Sequence, residues 1–148
     1  MSANDAPLTG MELEMCTVDP KLLEISKKFR FRREKTTAAV TIKIQGETIV
    51  VDEEFDDITV EELAEELPDH SPRYMLYSYV LKHSDGRISY PLCFLSYSPE
   101  GCQLKNTVKF AGCRNALVKA LGCGKVFSFR DKETLTEDWL KSQLSFFK

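Results

Sequence analysis

RYMLYSYVLKH, residues 73–83, carries apolar or aromatic side chains at both alternating phases, the pattern of a central strand covered on both faces. Such a strand needs one layer above it and one below. Asp85-Gly86 supplies a tight turn after it, and a return strand runs from about Ile88 to Tyr97. Pro91 removes one ladder donor from that strand and predicts a bulge or a locally unpaired edge. Upstream, the β-branched runs Ala38–Ile44 and Glu47–Asp52 flank Gln45-Gly46 as a hairpin, with Val40, Ile42 and Ile44 alternating onto one face. Lys125–Phe129 reads as a fifth, short strand.

The covering layers come from four helical segments. Asp19-Pro20 opens the first, since Asp caps orphan amides and Pro suits the first helical position; Leu22, Leu23, Ile25 and Phe29 give it an apolar side. Thr59 and Glu62 form a capping box, with Ile58 and Leu63 at the staple positions and Pro68 as the limit. A long helix spans about Cys102 to Leu121 and ends at Gly122 and Gly124. Leu135-Thr136 opens the last, in which Leu135 staples Leu140, and Trp139 and Leu144 share the apolar side. Helices placed between strands in this order predict an α/β (α+β) single domain: a mixed five-stranded sheet flanked by about four helices. Residues 1–17 are expected to form a flexible N-terminal arm, and 18–148 the domain.

Length and composition agree with one soluble domain. The chain has 148 residues, 43% hydrophobic and 29% charged, and no apolar run approaches the ~20 residues of a membrane span. The polar start MSANDAPLTG does not read as a signal peptide. Five cysteines, none in Cys-x-x-Cys spacing, and the lack of an Asn-x-Ser/Thr acceptor point to reduced thiols and a cytosolic home.

The net charge of −3 hides a polar distribution. Residues 27–35 (KKFRFRREK) hold six basic residues and one acid, whereas Asp52 to Asp69 is rich in Asp and Glu. The basic run with Phe29 and Phe31 has three readings: a helix end whose cations suit the dipole and whose phenylalanines enter the core, a protein contact, or a nucleic-acid contact.

Chemical motifs fail on inspection. Gly124-Lys125 resembles the end of a phosphate loop, but Lys119 stands at the first glycine position and Val126 replaces the magnesium-binding Ser/Thr. Asp52, Glu54 and Asp56 imitate the start of a calcium loop, but Asp57 stands where Gly is needed and Leu63 where a bidentate Glu is needed. His70 and His83 have no metal or nucleophile spacing. No metal, cofactor or enzymatic reaction is expected.

The long helix offers a surface instead. Turning about 100° per residue gathers Lys105, Lys109, Gly112, Ala116 and Lys119 in a strip about 80° wide, small residues between cations. Leu104, Phe110, Ala111, Leu117, Val118 and Leu121 project roughly opposite, as the core side, and Arg114 falls near that apolar side. Spacing alone leaves the strip equally a docking face or an ordinary solvated one.

Six blocks, KFRFRRE (28–34), LPDHSPR (67–73), YSY (77–79), DGRISYPLCF (85–94), FAG (110–112) and LTEDWL (135–140), with the pair Phe146-Phe147, resemble in order and spacing the glia maturation factors. These are a branch of the actin-depolymerising-factor (ADF) homology family, and the resemblance covers about residues 18 to 148. It implies a five-stranded mixed sheet flanked by helices. It also implies a monomeric, non-enzymatic regulator in the cytoplasmic actin cytoskeleton, with the nucleus as a further location and neither nucleic acid nor membrane as partner. Such proteins bind the actin-related protein 2/3 complex, promote debranching of actin filaments and inhibit branch nucleation. By the same resemblance, the helix with Lys105, Lys109, Gly112, Arg114, Asn115, Ala116 and Lys119 enters a groove of an actin-like subunit, bordered by the arm before Asp19 and the turn around Arg130. A second surface is implied at Asp85, Gly86 and Arg87 with Glu137, Asp138 and Lys141. Asn115 stands where the actin-depolymerising branch has Asp, and Lys109 where it has an apolar residue, which weighs against direct severing. The alternative reading is direct actin monomer or filament binding and depolymerisation of the cofilin type.

Overall fold

The computed structural model describes residues 10–13, 15–32 and 36–145. Its elements are β1 (Met11–Glu12), β2 (Thr17–Val18), α1 (Pro20–Arg30), β3 (Ala38–Gln45), β4 (Thr48–Asp56), α2 (Val60–Glu65), β5 (Arg73–Ser78), β6 (Leu81–Lys82), β7 (Ile88–Ser89), β8 (Leu92–Tyr97), α3 (Leu104–Leu121), β9 (Lys125–Phe129) and α4 (Glu137–Leu144). The main sheet runs β1-β2-β4-β3-β5-β8-β9. It is mixed, because β2 pairs β4 and β8 pairs β9 in parallel while the other neighbours are antiparallel.

Strand alternation sorts the core into two layers, as expected for a sheet covered on both sides. Tyr74, Leu76, Phe94, Val40 and Ile42 face α1 and α3, which return Leu22, Ile25, Phe110, Cys113, Leu117 and Leu121. Met75, Tyr77, Cys93, Leu95 and Tyr97 face the other way and meet Val60 and Leu63 of α2 and Leu140 and Leu144 of α4. The helix starts follow the sequence signals: Asp19 accepts from the Lys21 amide, Thr59 and Glu62 close a reciprocal capping box, and Thr136 accepts from the Trp139 amide.

Five longer strands, β3, β4, β5, β8 and β9, are the predicted set, and the extra ones are two-residue pieces. Two of these come from breaking each of the strands read over 73–83 and 88–97, β6 from the first and β7 from the second. The ladder stops after Ser78, where the Tyr79 amide donates instead to the Pro91 carbonyl, and β6 pairs with β7 as a separate ribbon. Pro91 has no amide to continue the ladder, so the kink predicted there falls on both partners. The other two lie in the segment expected as an arm. Met11 pairs with Val18 and Glu12 with Thr17, and the Thr17 amide donates to the Glu47 carbonyl, so residues 10–13 and 15–17 extend the sheet edge. Two residues show no alternation, which is why pattern reading passes over them. The expected flexible arm over residues 1–9 lies outside the described residues, as do Phe146-Phe147. At the basic end of α1, Phe29 packs against the core, but Phe31 is exposed beneath the Arg30 guanidinium, which sits 5.8 Å from its ring centroid.

Candidate functional site

α3 is held on the sheet by its C-terminal three turns. The Tyr74 and Phe110 rings stack with centroids 4.0 Å apart, and the Tyr74 hydroxyl donates to the Phe110 carbonyl. From there Cys113, Leu117 and Leu121 continue the buried stripe. Gly122 ends the helix at φ 69°, its amide donating to the Val118 and Lys119 carbonyls. None of the first six residues, Leu104 to Lys109, is buried.

This anchoring corrects the projected core side. Leu104 is 78% exposed and Ala111 is exposed, while Val118 is half-buried against the core. Relative to the buried stripe, the outward direction of the helix carries Leu104, Val108, Ala111 and Asn115, edged by Lys105 and Lys119. Val108 is 55% exposed, and Met15 at 43% lies beside the same surface. An exposed apolar stripe rimmed by cations is the feature that sequence reading missed. Val108 among lysines was the available signal.

The predicted strip lies on one flank of that face and is partly engaged within the chain. The Lys109 ammonium donates to the Gly46 carbonyl at 3.0 Å. Gly112 is overlaid by Met15: a Cβ at this glycine would sit 2.5 Å from the Met15 Sδ. The close approach that Gly112 permits is therefore made by the segment ahead of α1. Lys105 and Lys119 are exposed, and Ala116 is half-buried. Lys105 and Lys109 border a 320 Å³ hollow with Arg73, whose guanidinium is spoken for by the Asp52 carboxylate at 3.0 Å and by Ser71.

Arg114 lies beside the buried stripe, as projected, but its guanidinium reaches outward to the Ser128 hydroxyl at 2.9 Å and to the Asn115 side-chain oxygen at 3.4 Å. Arg130 is exposed and shares with Arg114 a 340 Å³ depression beside α3. The structure thus brings the helix residues, the Met15 segment and Arg130 to one side of the molecule.

The Asp85-Gly86-Arg87 turn belongs to the β6–β7 ribbon. Gly86 has φ 91°, and the Asp85 carboxylate accepts from both the Arg87 amide at 3.1 Å and its guanidinium at 2.7 Å. These bonds, the amide first, hold the Asp85 carboxyl below the usual carboxylate range. Asp85, Arg87 and Lys141 line one 870 Å³ groove between the ribbon and α4, together with Lys82, Tyr90 and Lys125. Glu137 pairs with Lys141 along α4 at 3.3 Å, and Asp138 is exposed outside the groove. Lys82, Tyr90 and Lys125 were absent from the predicted set because they lie far apart along the chain.

Among the described residues, no group of three His, Cys, Asp or Glu side chains could hold a metal ion, and no helix is long and apolar enough to cross a membrane. What the geometry offers is two surfaces on opposite faces of one mixed sheet flanked by helices. Residues 15–145 match the family described as cofilin/tropomyosin-type actin-binding protein. Human glia maturation factor beta is 45% identical over 137 residues, covering 91% of this chain and 96% of the relative. The glia maturation factor of Drosophila melanogaster is 41% identical over 133 residues, covering 88% and 96%. The solution structure of glia maturation factor from Caenorhabditis elegans superposes with a TM-score of 0.76 at 34% identity, over 89% of this chain and 97% of that one. The chain belongs to this cofilin-type family, in its glia maturation factor branch.

Proposed function

We propose that the protein binds the actin-related protein 2/3 complex through the outward face of α3, promotes release of actin branches and inhibits formation of new ones. The observation that carries the reading is the exposed apolar stripe of Leu104 and Val108 edged by Lys105 and Lys119, on a chain that belongs to the glia maturation factor branch. An apolar centre with a charged rim suits a helix laid in a groove, where burial supplies affinity and the cations fix orientation. Arg114, Asn115 and Arg130 border the contact. The groove at Asp85, Gly86, Arg87 and Lys141, flanked by Glu137 and Asp138, forms a second contact on the opposite face of the sheet. Two contacts on one rigid domain can favour a complex geometry that fits a branch poorly. Differential binding of this kind loosens the branch without nucleotide chemistry. The protein so read is a non-enzymatic, monomeric component of the cytoplasmic actin cytoskeleton.

A second reading is direct actin binding of the cofilin type, favoured by the same apolar stripe, since the family is described as actin-binding. Fluorescence microscopy of preformed branched filaments separates the two. The expected outcome is a several-fold shorter branch lifetime at saturating protein with unchanged lengths of unbranched filaments. An unchanged branch lifetime contradicts the debranching proposal, and shortening of unbranched filaments favours the cofilin reading.

A further inference from the structure

The 340 Å³ depression bordered by Arg114 and Arg130 lies between α3 and the ends of β8 and β9, and no carboxylate lines it. Ser96 on β8 and Ser128 on β9 are partners in the parallel ladder, so their side chains stand on one face of the sheet. The Ser98 amide donates to the Phe129 carbonyl at 3.2 Å and ties the two strand ends together. Ser96 is 5% exposed and lines the depression, where its hydroxyl makes no hydrogen bond to any described residue. Buried hydroxyls are normally bonded, so one that opens into a hollow marks a place for an acceptor. Arg114 touches only neutral oxygens, the Ser128 hydroxyl at 2.9 Å and the Asn115 side-chain oxygen at 3.4 Å. Ser128 accepts that bond and keeps its own proton to donate. Arg130 is exposed, and among the described residues neither arginine is paired with a carboxylate.

We propose that this depression is an oxyanion site that takes a phosphate monoester, carried on a phosphorylated serine or threonine of a partner segment laid along α3. The number and kind of donors favour a phosphoryl group over a carboxylate. Two guanidinium groups, one from α3 and one just past β9, share the hollow with the hydroxyls of Ser96 and Ser128. A carboxylate offers two oxygens in one plane, whereas a phosphoryl group offers three oxygens and a charge near −2, which matches two guanidinium cations. Arginine clusters are a recurrent means of reading phosphorylated side chains. Phe110, Ala111 and Phe129 line the same depression and give the carbon stem of the phosphorylated residue an apolar wall. The Thr107 hydroxyl takes no part, since it donates to the Gln103 carbonyl at 3.3 Å. Ala111 also belongs to the outward face of α3, so the depression opens beside that face. The peptide source therefore rests on the reading of α3 as a docking face, whereas capture of the phosphoryl group does not.

The test is titration of the full-length protein with N-acetyl-phosphoserine amide, followed by nitrogen–proton NMR of backbone amides and arginine Nε–H groups, with N-acetylserine amide as the unphosphorylated probe. The expected result is saturable shifts at Ser96, Ser128, Arg114 and Arg130 with the phosphorylated probe and none with the other. Binding should weaken by roughly tenfold or more in Arg114→Gln/Arg130→Gln and several-fold in Ser96→Ala, and stay unchanged in Lys28→Gln, a cation outside the depression. Arg130 is exposed and the Ser96 hydroxyl holds no internal bond, so these variants should keep the parent melting temperature. Lack of saturation, equal shifts with both probes, or undiminished binding by the double arginine variant would overturn the proposal. Inorganic phosphate bound as tightly as the ester would overturn the ester assignment. Capture by vesicles containing phosphatidic acid, without binding of the soluble probe, would overturn the peptide source in favour of a membrane. No partner protein enters the titration, so its failure is distinct from failure of the docking reading.

Discussion

Gly112 illustrates how a single residue is read differently once its neighbours are known. Small residues between cations suggest room for a partner, yet the atom nearest its missing Cβ is the Met15 Sδ. That sulfur lies near the end of a flexible side chain and can swing aside, while Ala is favoured over Gly inside a helix by about 1 kcal/mol. Gly112→Ala is therefore expected to leave the urea midpoint unchanged or raise it slightly, with a displaced Met15 methyl resonance; destabilisation beyond about 1 kcal/mol would show that the Met15 contact is rigid. Leu104 gives the opposite lesson, because its apolarity invites a core assignment that exposure refutes. Apolar residues cover much of any protein surface, so only the anchoring residues Phe110, Cys113, Leu117 and Leu121 fix which way the helix faces. Cys93 makes a pH prediction. Burial, with Cys123 as the next cause, pushes its thiol up from the usual value near 9 to about 12. A folded-state value raised in this way contributes stability that is complete below about pH 9 and is lost as pH climbs toward 12. Cys93→Ala should then show a shallower fall in melting temperature than the parent between pH 9 and 12, and parallel curves would contradict the assignment.

At the scale of elements, local rules placed the helix starts well because each rests on a side chain capping amides a few residues away. Asp19, Thr59 and Thr136 all cap as their sequence positions suggest. The interruption between β5 and β6 was half visible: Pro91 announces a missing donor in its own strand, but its effect on Tyr79 depends on pairing across the turn. β1 and β2 were not visible, being edge pieces without alternation whose bonds come from Glu47 and Ile49 on β4 and the loop before it. For α3, the proposed docking face depends on firm attachment of the opposite side. Leu117 is fully buried between the sheet and α1. Leu117→Ala is expected to cost 2–5 kcal/mol in chemical denaturation. A cost below about 1 kcal/mol would mean that α3 is not anchored as described.

At the scale of the molecule, the order of apolar segments was enough for a mixed sheet with helices on both sides, since a strand apolar at both phases has no other stable setting. The site was less legible. The lysines of α3 could be seen as one strip, but the apolar stripe beside them, the overlying Met15 and the groove shared by Lys82, Lys125 and Lys141 come from residues brought together only by folding. Family membership makes an actin-regulatory role the setting for both surfaces. The claim that α3 docks by its exposed apolar stripe is tested most directly by Leu104→Asp/Val108→Asp. Neither side chain is buried, so the fold should keep its melting temperature within a few degrees. In pull-down with purified actin-related protein 2/3 complex, docking by this stripe predicts retention of the parent protein and at least a tenfold loss of affinity in the double variant. Equal retention of both, with the fold intact, would contradict it.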